Sequence, residues 1–364
     1  MTEATTLAGT TFRAPPPGDW EPLDLEFLNK CPVCGDENRA IAYEGLRDKI
    51  FFCAPGAWTM WRCAGCNVGY LDPRPTPASI GRAYSSYYTH AESGLPNPSK
   101  RPGLLKRLRR IPPNSYMNKF FGYRLRPSLP GAWLLLAMRP LRALSTENFY
   151  RHLAAPRDAA DRVLDIGCGS GHFLQTARDD LAYQVEGLEI DPAALEVARR
   201  RGLLVHPGGI PGSGLTPGTY YQITLSHVLE HLHEPVAALR EVFDLLKPGG
   251  RVWIAIPNLA AASLKRFGAN SRLLEPPRHL VMFDQDSLRA LLERTGFTGI
   301  ELLVEPRRYE FVVNQSRMME LGVDPHSTND AVAPTELQSL SNAPIGKADP
   351  NAEIITMIAF KAKS

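Results

Sequence analysis

Three glycines and one acid carry the clearest chemistry in this chain. Gly167, Gly169 and Gly171 follow the apolar run Val163-Leu164-Asp165-Ile166, and Glu189 closes a second strand-like run 22 residues after Gly167. A strand, a glycine turn opening a helix and a second strand ending in acid make the first half of a nucleotide-binding α/β sheet. A dinucleotide loop reads G-x-G-x-x-G, because its third glycine brings the helix close while the helix N-terminus faces a pyrophosphate. Here the spacing is G-x-G-x-G, and His172 stands where that last glycine belongs. A carboxylate at Glu189 can accept both ribose hydroxyls. The residues therefore provide for an adenosyl ribose and not for a pyrophosphate, which suits a cofactor with adenosine and an amino-acid end. The plainer reading, glycines that only make a βα turn, leaves the spaced acid unexplained.

The cysteines form a second constellation. Cys31 and Cys34 make one C-x2-C pair, Cys63 and Cys66 make another, and 28 residues separate them. Two such knuckles offer four thiolates to one tetrahedral Zn²⁺, with Gly35 and Gly65 easing the turns. Structural zinc is the expectation, since a reducing cytosol disfavours disulfides. Cys53 reads as a buried small apolar residue, and Cys168, in the glycine turn with no visible base, as packing.

The runs 163–171, 186–191, 225–232 and 246–258 occur in the order of a known family. From Asp161 to about Val304 the chain resembles a class I S-adenosylmethionine-dependent methyltransferase. The stretch 275–283, followed by Thr295-Gly296-Phe297, is similar to the subgroup that modifies small molecules and sugars. The resemblance implies an α/β, Rossmann-like sheet of seven strands, the last antiparallel, here with a small N-terminal zinc-ribbon module. It also implies that Asp165 and the 167–171 turn hold the methionyl end, that Glu189 holds the ribose, and that Ser226 and His227 border cofactor and acceptor. Many relatives have an acid near the adenine where this chain has Gly208-Gly209, so contacts at Gly209 and Ile210 are expected through backbone. Many also begin the fourth strand with Phe-Asp, where this chain has Tyr221-Gln222.

A sulfonium methyl is already electrophilic, so the protein must hold the acceptor in line and remove its proton. Histidine can accept a proton near neutral pH, which makes His227, His231 and His279 the general-base candidates. His279 follows Arg278 in a loop opened by Pro276-Pro277, and this pair is favoured for the acceptor site. His231 reads as a secondary base or as a structural residue satisfied by backbone. His227 and His231 lie four apart and could share a metal, but a metal needs more ligands, and Glu230 is expected to point elsewhere. Lys247-Pro248-Gly249-Gly250 reads as a turn into the fifth strand.

Organisation follows from composition. Residues 1–28 are expected to be disordered, 29–75 to form the ribbon, 76–155 a partly basic helical linker, 156–304 with 353–364 the catalytic domain, and 305–352 a partly disordered insertion. Tyr84, Tyr87 and Tyr88 fall in a short helix at the start of the linker. Strands are expected at 162–166, 184–189, 203–206, 220–226, 251–256 and 300–304, with the last over 353–361. The linker holds a basic amphipathic run, 101–110, and an apolar one, 133–138. Contact with an anionic membrane surface or lipid-linked substrate is one reading; a solvated basic helix beside an ordinary core helix is favoured, because each apolar stretch is short.

The net charge is +3, which gives no argument for nucleic acid. No leader or membrane span is read, so the cytoplasm is the expected compartment. The expected activity is methyl transfer to a small molecule, by O-methylation of a sugar, glycan or secondary metabolite. C-methylation of a nucleotide-linked sugar, RNA methylation and a non-catalytic cofactor-binding protein are the alternatives. DNA is not expected as a partner, and RNA is disfavoured because the basic residues concentrate in one linker.

Overall fold

The computed structural model describes residues 17–85, 104–139, 147, 149–304, 309–326 and 349–363. The N-terminal part begins earlier than its composition suggests. Trp20 is buried with its ring edge-on to Trp58 at 5.6 Å, and strand β1 (Leu25–Glu26) pairs with β5 (Arg74–Pro75). The disorder expected over 1–28 therefore does not hold from residue 17 onward, because a tryptophan and a strand find partners across the module; residues 1–16 lie outside the described residues.

Between these ends, β2 (Arg39–Leu46), β3 (Trp58–Cys63) and β4 (Gly69–Leu71) run antiparallel. Their fourth partner is β11 (Val281–Met282), which comes from the catalytic half of the chain. Buried side chains of both halves, among them Met60, Tyr70, Ile223 and Val252, belong to one continuous core. The ribbon is thus built into the catalytic domain, whereas the sequence suggested a separate module. Short-range pattern could not show this, since β11 spans only two residues.

The segment leading to the main sheet holds α1 (Leu104–Arg109), α2 (Ile111–Phe121) and α3 (Leu134–Ala137). The apolar 133–138 run, favoured as a core helix, is mostly on the surface: Leu134, Leu135 and Met138 are 49%, 58% and 76% exposed, and Leu136 alone in this run is buried.

The main sheet starts with β6 (Arg162–Ile166), followed by helix α4 (His172–Leu181), β7 (Gln184–Glu189), α5 (Pro192–Arg200), β8 (Leu204–Pro207) and β9 (Tyr220–Ser226). It continues with α6 (Pro235–Leu245), β10 (Leu246–Pro257), β12 (Thr298–Leu302) and β13 (Ile354–Phe360). Strand order is β12-β13-β10-β9-β6-β7-β8, with β13 antiparallel to both neighbours and the remaining pairs parallel. Each expected strand is present within a few residues. The turn expected at 247–250 is instead the bulged start of β10, whose pairing with β9 shifts register between Leu246 and Arg251. Within the stretch 305–352 lies a helix over Tyr309–Glu320, and the disorder expected further on falls at 327–348, outside the described residues.

Connections to β6 run both ways, to β7 on one side and β9 on the other. In such open sheets the ligand crevice lies beyond the carboxyl ends of the strands at this switch point. Those ends are Ile166, Glu189 and Ser226.

Candidate active site

Four backbone and side-chain features shape the crevice. Gly167, Gly169 and Gly171 all have positive φ. A Cβ on Gly167 would lie 2.6 Å from Val228, and one on Gly171 would lie 2.3 Å from Leu203, so both must be glycine. Beside Gly169 a Cβ would meet nothing, which leaves room where a bound molecule can approach backbone. Gly169 N–H donates to Glu189 Oε2 at 2.7 Å and Asp191 N–H to Oε1 at 2.8 Å. Each Glu189 oxygen keeps a further lone pair for a hydroxyl. Burial raises its pKa above the ordinary carboxylate value.

Asp165 lies beneath the turn. Its Oδ1 accepts from Thr224 Oγ1 at 2.8 Å and from Arg151 Nη1, while Oδ2 is buried without a hydrogen-bond partner. A buried carboxylate oxygen left open costs about 1–3 kcal/mol or more unless a ligand donor completes it. An ammonium group at the end of a cofactor would do so. Arg151, which carried no motif, also donates to Thr224 Oγ1 at 3.0 Å and lies 3.8 Å over the Phe173 ring. Ile190, next to Glu189, is 79% exposed, an apolar surface in the place where a base ring would pack. Ile210 is buried and Gly209 half-buried, with Gly208 N–H bonded to Glu189 O at 2.9 Å, which brings this loop to the same edge. Gln222, the departure in the fourth strand, accepts from Ala154 N–H and Arg251 Nε, so it braces the sheet rather than the crevice.

Past Ser226 the chain turns through His227, whose φ of +55° is rare for a residue with a side chain. His227 is 44% exposed, and its Nδ1 lies 3.2 Å from Oε1 of the fully buried Glu230. Burial opposes ionisation of Glu230, yet the hydrogen bond from His227 and the neighbouring rings hold its pKa below the usual value. A partly exposed imidazole backed by a buried carboxylate can accept a proton and be steadied in the charged form.

His231 and His279 meet behind this pair, with ring centroids 4.9 Å apart. His231 Nδ1 is 2.9 Å from Arg278 O and 3.1 Å from Tyr84 Oη, and His279 Nδ1 is 2.7 Å from Leu273 O. Tyr84 is the member of the tyrosine group that reaches the site; Tyr87 and Tyr88 lie outside the described residues. His279 is buried, and that burial lowers its pKa to about 4. Arg278, expected at the acceptor, has no exposed surface. Its guanidinium donates to Asp48 Oδ1 at 2.6 Å, to Glu275 Oε1 at 3.1 Å and to Ala83 O at 2.8 Å. In this structure Arg278 ties the N-terminal module to the loop that precedes β11.

The cysteine centre has the geometry its spacing implies. One sulfur from each of Cys31, Cys34, Cys63 and Cys66 lies within 4.8 Å of the others, with Cys31–Cys66 at 3.5 Å and Cys34–Cys63 at 3.4 Å. Four sulfurs at about 2.3 Å from a tetrahedral ion stand about 3.8 Å apart, so this set fits one ion. The hydrogen bond with Cys66 holds the Cys31 thiol below its ordinary pKa. Cys53 is half-buried, its Sγ 3.2 Å from Ala83 O, and burial raises the Cys168 thiol.

Comparison with known proteins gives this geometry a family. Residues 139–302 match the family described as "Methyltransferase domain". A ubiquinone biosynthesis O-methyltransferase of Bordetella bronchiseptica is 31% identical over 173 residues, covering 43% of this chain and 71% of that protein. One of Xanthomonas euvesicatoria is 31% identical over 155 residues, covering 39% of this chain and 63% of that protein; the chain thus spans less than two thirds of this relative's length. A SAM-dependent methyltransferase of known structure from Archaeoglobus fulgidus aligns at 20% identity with a TM-score of 0.41, over 62% of this chain and 94% of that one. On the family match and the Bordetella relative, this chain belongs to the class I S-adenosylmethionine-dependent methyltransferases.

Proposed function

We propose that the chain O-methylates a hydroxyl of a small molecule, with His227 taking the hydroxyl proton and Glu230 positioning His227. The observation that carries this reading is the His227–Glu230 pair, 3.2 Å apart, at the carboxyl end of β9 beside Gly167, Gly169 and Glu189. S-adenosylmethionine, when bound, supplies an electrophilic sulfonium methyl. Asp165 Oδ2 would accept from the ammonium of the amino-acid end, Arg151 would offer its cation to the carboxylate, Glu189 would accept from the ribose hydroxyls, and Ile190 with the backbone at Gly209 and Ile210 would hold the adenine. Ser226 borders both cofactor and acceptor. Cys31, Cys34, Cys63 and Cys66 would hold one structural Zn²⁺, and such an ion would cross-link the two knuckles.

The relatives' name supports oxygen rather than carbon as the methylated atom. It does not single out a sugar or glycan, so the acceptor is proposed as a class. Exposed apolar residues on two short helices support an acceptor dissolved in, or tethered to, an anionic lipid surface: residues 104–139 contain eight Lys and Arg and no acid, with Leu104, Leu105 and Leu108 exposed on α1 and Leu134, Leu135 and Met138 exposed on or beside α3.

Methyl transfer from labelled S-adenosylmethionine to polyphenols, sugars, nucleotide-linked sugars and RNA tests this. Incorporation into an oxygen of a small molecule is the expected result. Label in RNA, or in a carbon, would replace the reading. On the expected acceptor, His227→Ala should lower kcat by about 10²–10⁴-fold with cofactor affinity unchanged.

A further inference from the structure

A buried cluster of one acid and two imidazoles lies behind His227. One ligating atom from each of Glu230, His231 and His279 lies within 4.8 Å of the other two. The tautomers of both rings follow from their neighbours. Arg278 O and Leu273 O can only accept, so Nδ1 of His231 and of His279 each carry the proton. That leaves Nε2 of each neutral ring as a lone pair. Glu230 supplies the third donor, since Oε1 is engaged by His227 while Oε2 is buried with no hydrogen-bond partner. Glu275, the nearest other acid, lies 3.9 Å from His279 Nε2 but is already paired with Arg272 and Arg278.

A carboxylate oxygen and two ring nitrogens within 4.8 Å of one another in a buried space repel unless a cation lies between them. We infer that Glu230, His231 and His279 hold a first-row divalent cation, separate from the cysteine centre. Two imidazoles and one carboxylate are the donor set of Mn²⁺, Fe²⁺, Co²⁺ and Zn²⁺ sites that keep open positions. The backbone carbonyls on both Nδ1–H groups orient the rings in the manner usual for metal-bound histidine. Small side-chain rotations close the three donors onto an ion at about 2.1 Å. Only His231 among the three is more than marginally exposed, so the site is dry enough to make the charge count. The pairing of His227 with His231 that their spacing allowed, and that the want of further ligands disfavoured, is not the one formed: residues 229–231 are a single 3-10 turn, and Glu230 is buried.

The test is a titration of the zinc-loaded full chain with Mn²⁺, followed by electron paramagnetic resonance, because Mn²⁺ does not compete for thiolates. One Mn²⁺ per chain is expected beyond the cysteine-bound zinc. His279→Ala should weaken Mn²⁺ binding at least tenfold, with zinc stoichiometry unchanged. Glu230→Gln, which keeps the shape and removes the charge, should do the same if the alanine variant does not fold. No Mn²⁺ or second zinc on the wild-type chain would overturn the inference and leave a proton as the resident cation. Equal affinity in the variants would overturn it as well. The readout is metal content, so it is independent of whether the proposed acceptor is right.

Discussion

Glu189 and Asp165 are single carboxylates in neighbouring strands with different tasks. Both are buried, and burial raises both pKa values, but Glu189 already accepts two backbone N–H groups whereas Asp165 keeps one oxygen open. Glu189→Ala should weaken S-adenosylmethionine at least tenfold by calorimetry, since two charge-assisted hydroxyl contacts of the ribose are lost. Unchanged affinity would remove Glu189 from the ribose. These positions were legible because a glycine turn and its following acid are local features. Arg278 was not: its anchor Asp48 lies 230 residues away in sequence, so a basic residue in a proline-bounded loop looked available to a substrate. Arg151 escaped for a related reason, as it comes from a segment without a motif.

At the scale of elements, the decisive contacts join segments distant in the chain. The Arg278–Asp48 pair is wholly enclosed and lies between β2 and the loop before β11. Removing one partner of such a pair leaves a buried charge, so Asp48→Ala should cost about 3–5 kcal/mol in chemical denaturation. A change below about 1 kcal/mol would mean that the pair is not closed in solution. The segment before β6 also carries a titration. Burial, aided by Arg251, lowers the pKa of His152 to about 4. A histidine whose folded pKa lies below its unfolded value of about 6.5 adds stability above that value and loses it as pH falls toward 4. The melting temperature should therefore drop between pH 6.5 and 4, and less steeply in His152→Gln. The seven strands were legible from apolar runs and turn residues. Strand β11 was not, because two residues carry no period.

The molecule as a whole is held by a core that spans the cysteine module and the sheet. A separate ribbon, as its cysteine spacing suggested, would unfold by itself when stripped of metal. A ribbon sharing its core should not: chelation is expected to lower a single cooperative transition, and two transitions would contradict the shared core. The same continuity brings Tyr84 to His231. The crevice itself is the centre of the account, and its cofactor can be tested directly. Thermal unfolding of the full chain should shift upward with S-adenosylmethionine, by about 2.7 kcal/mol of stabilisation at 100 times Kd, and should not move with NAD. A shift with NAD, or none with S-adenosylmethionine, would contradict the assignment of this site.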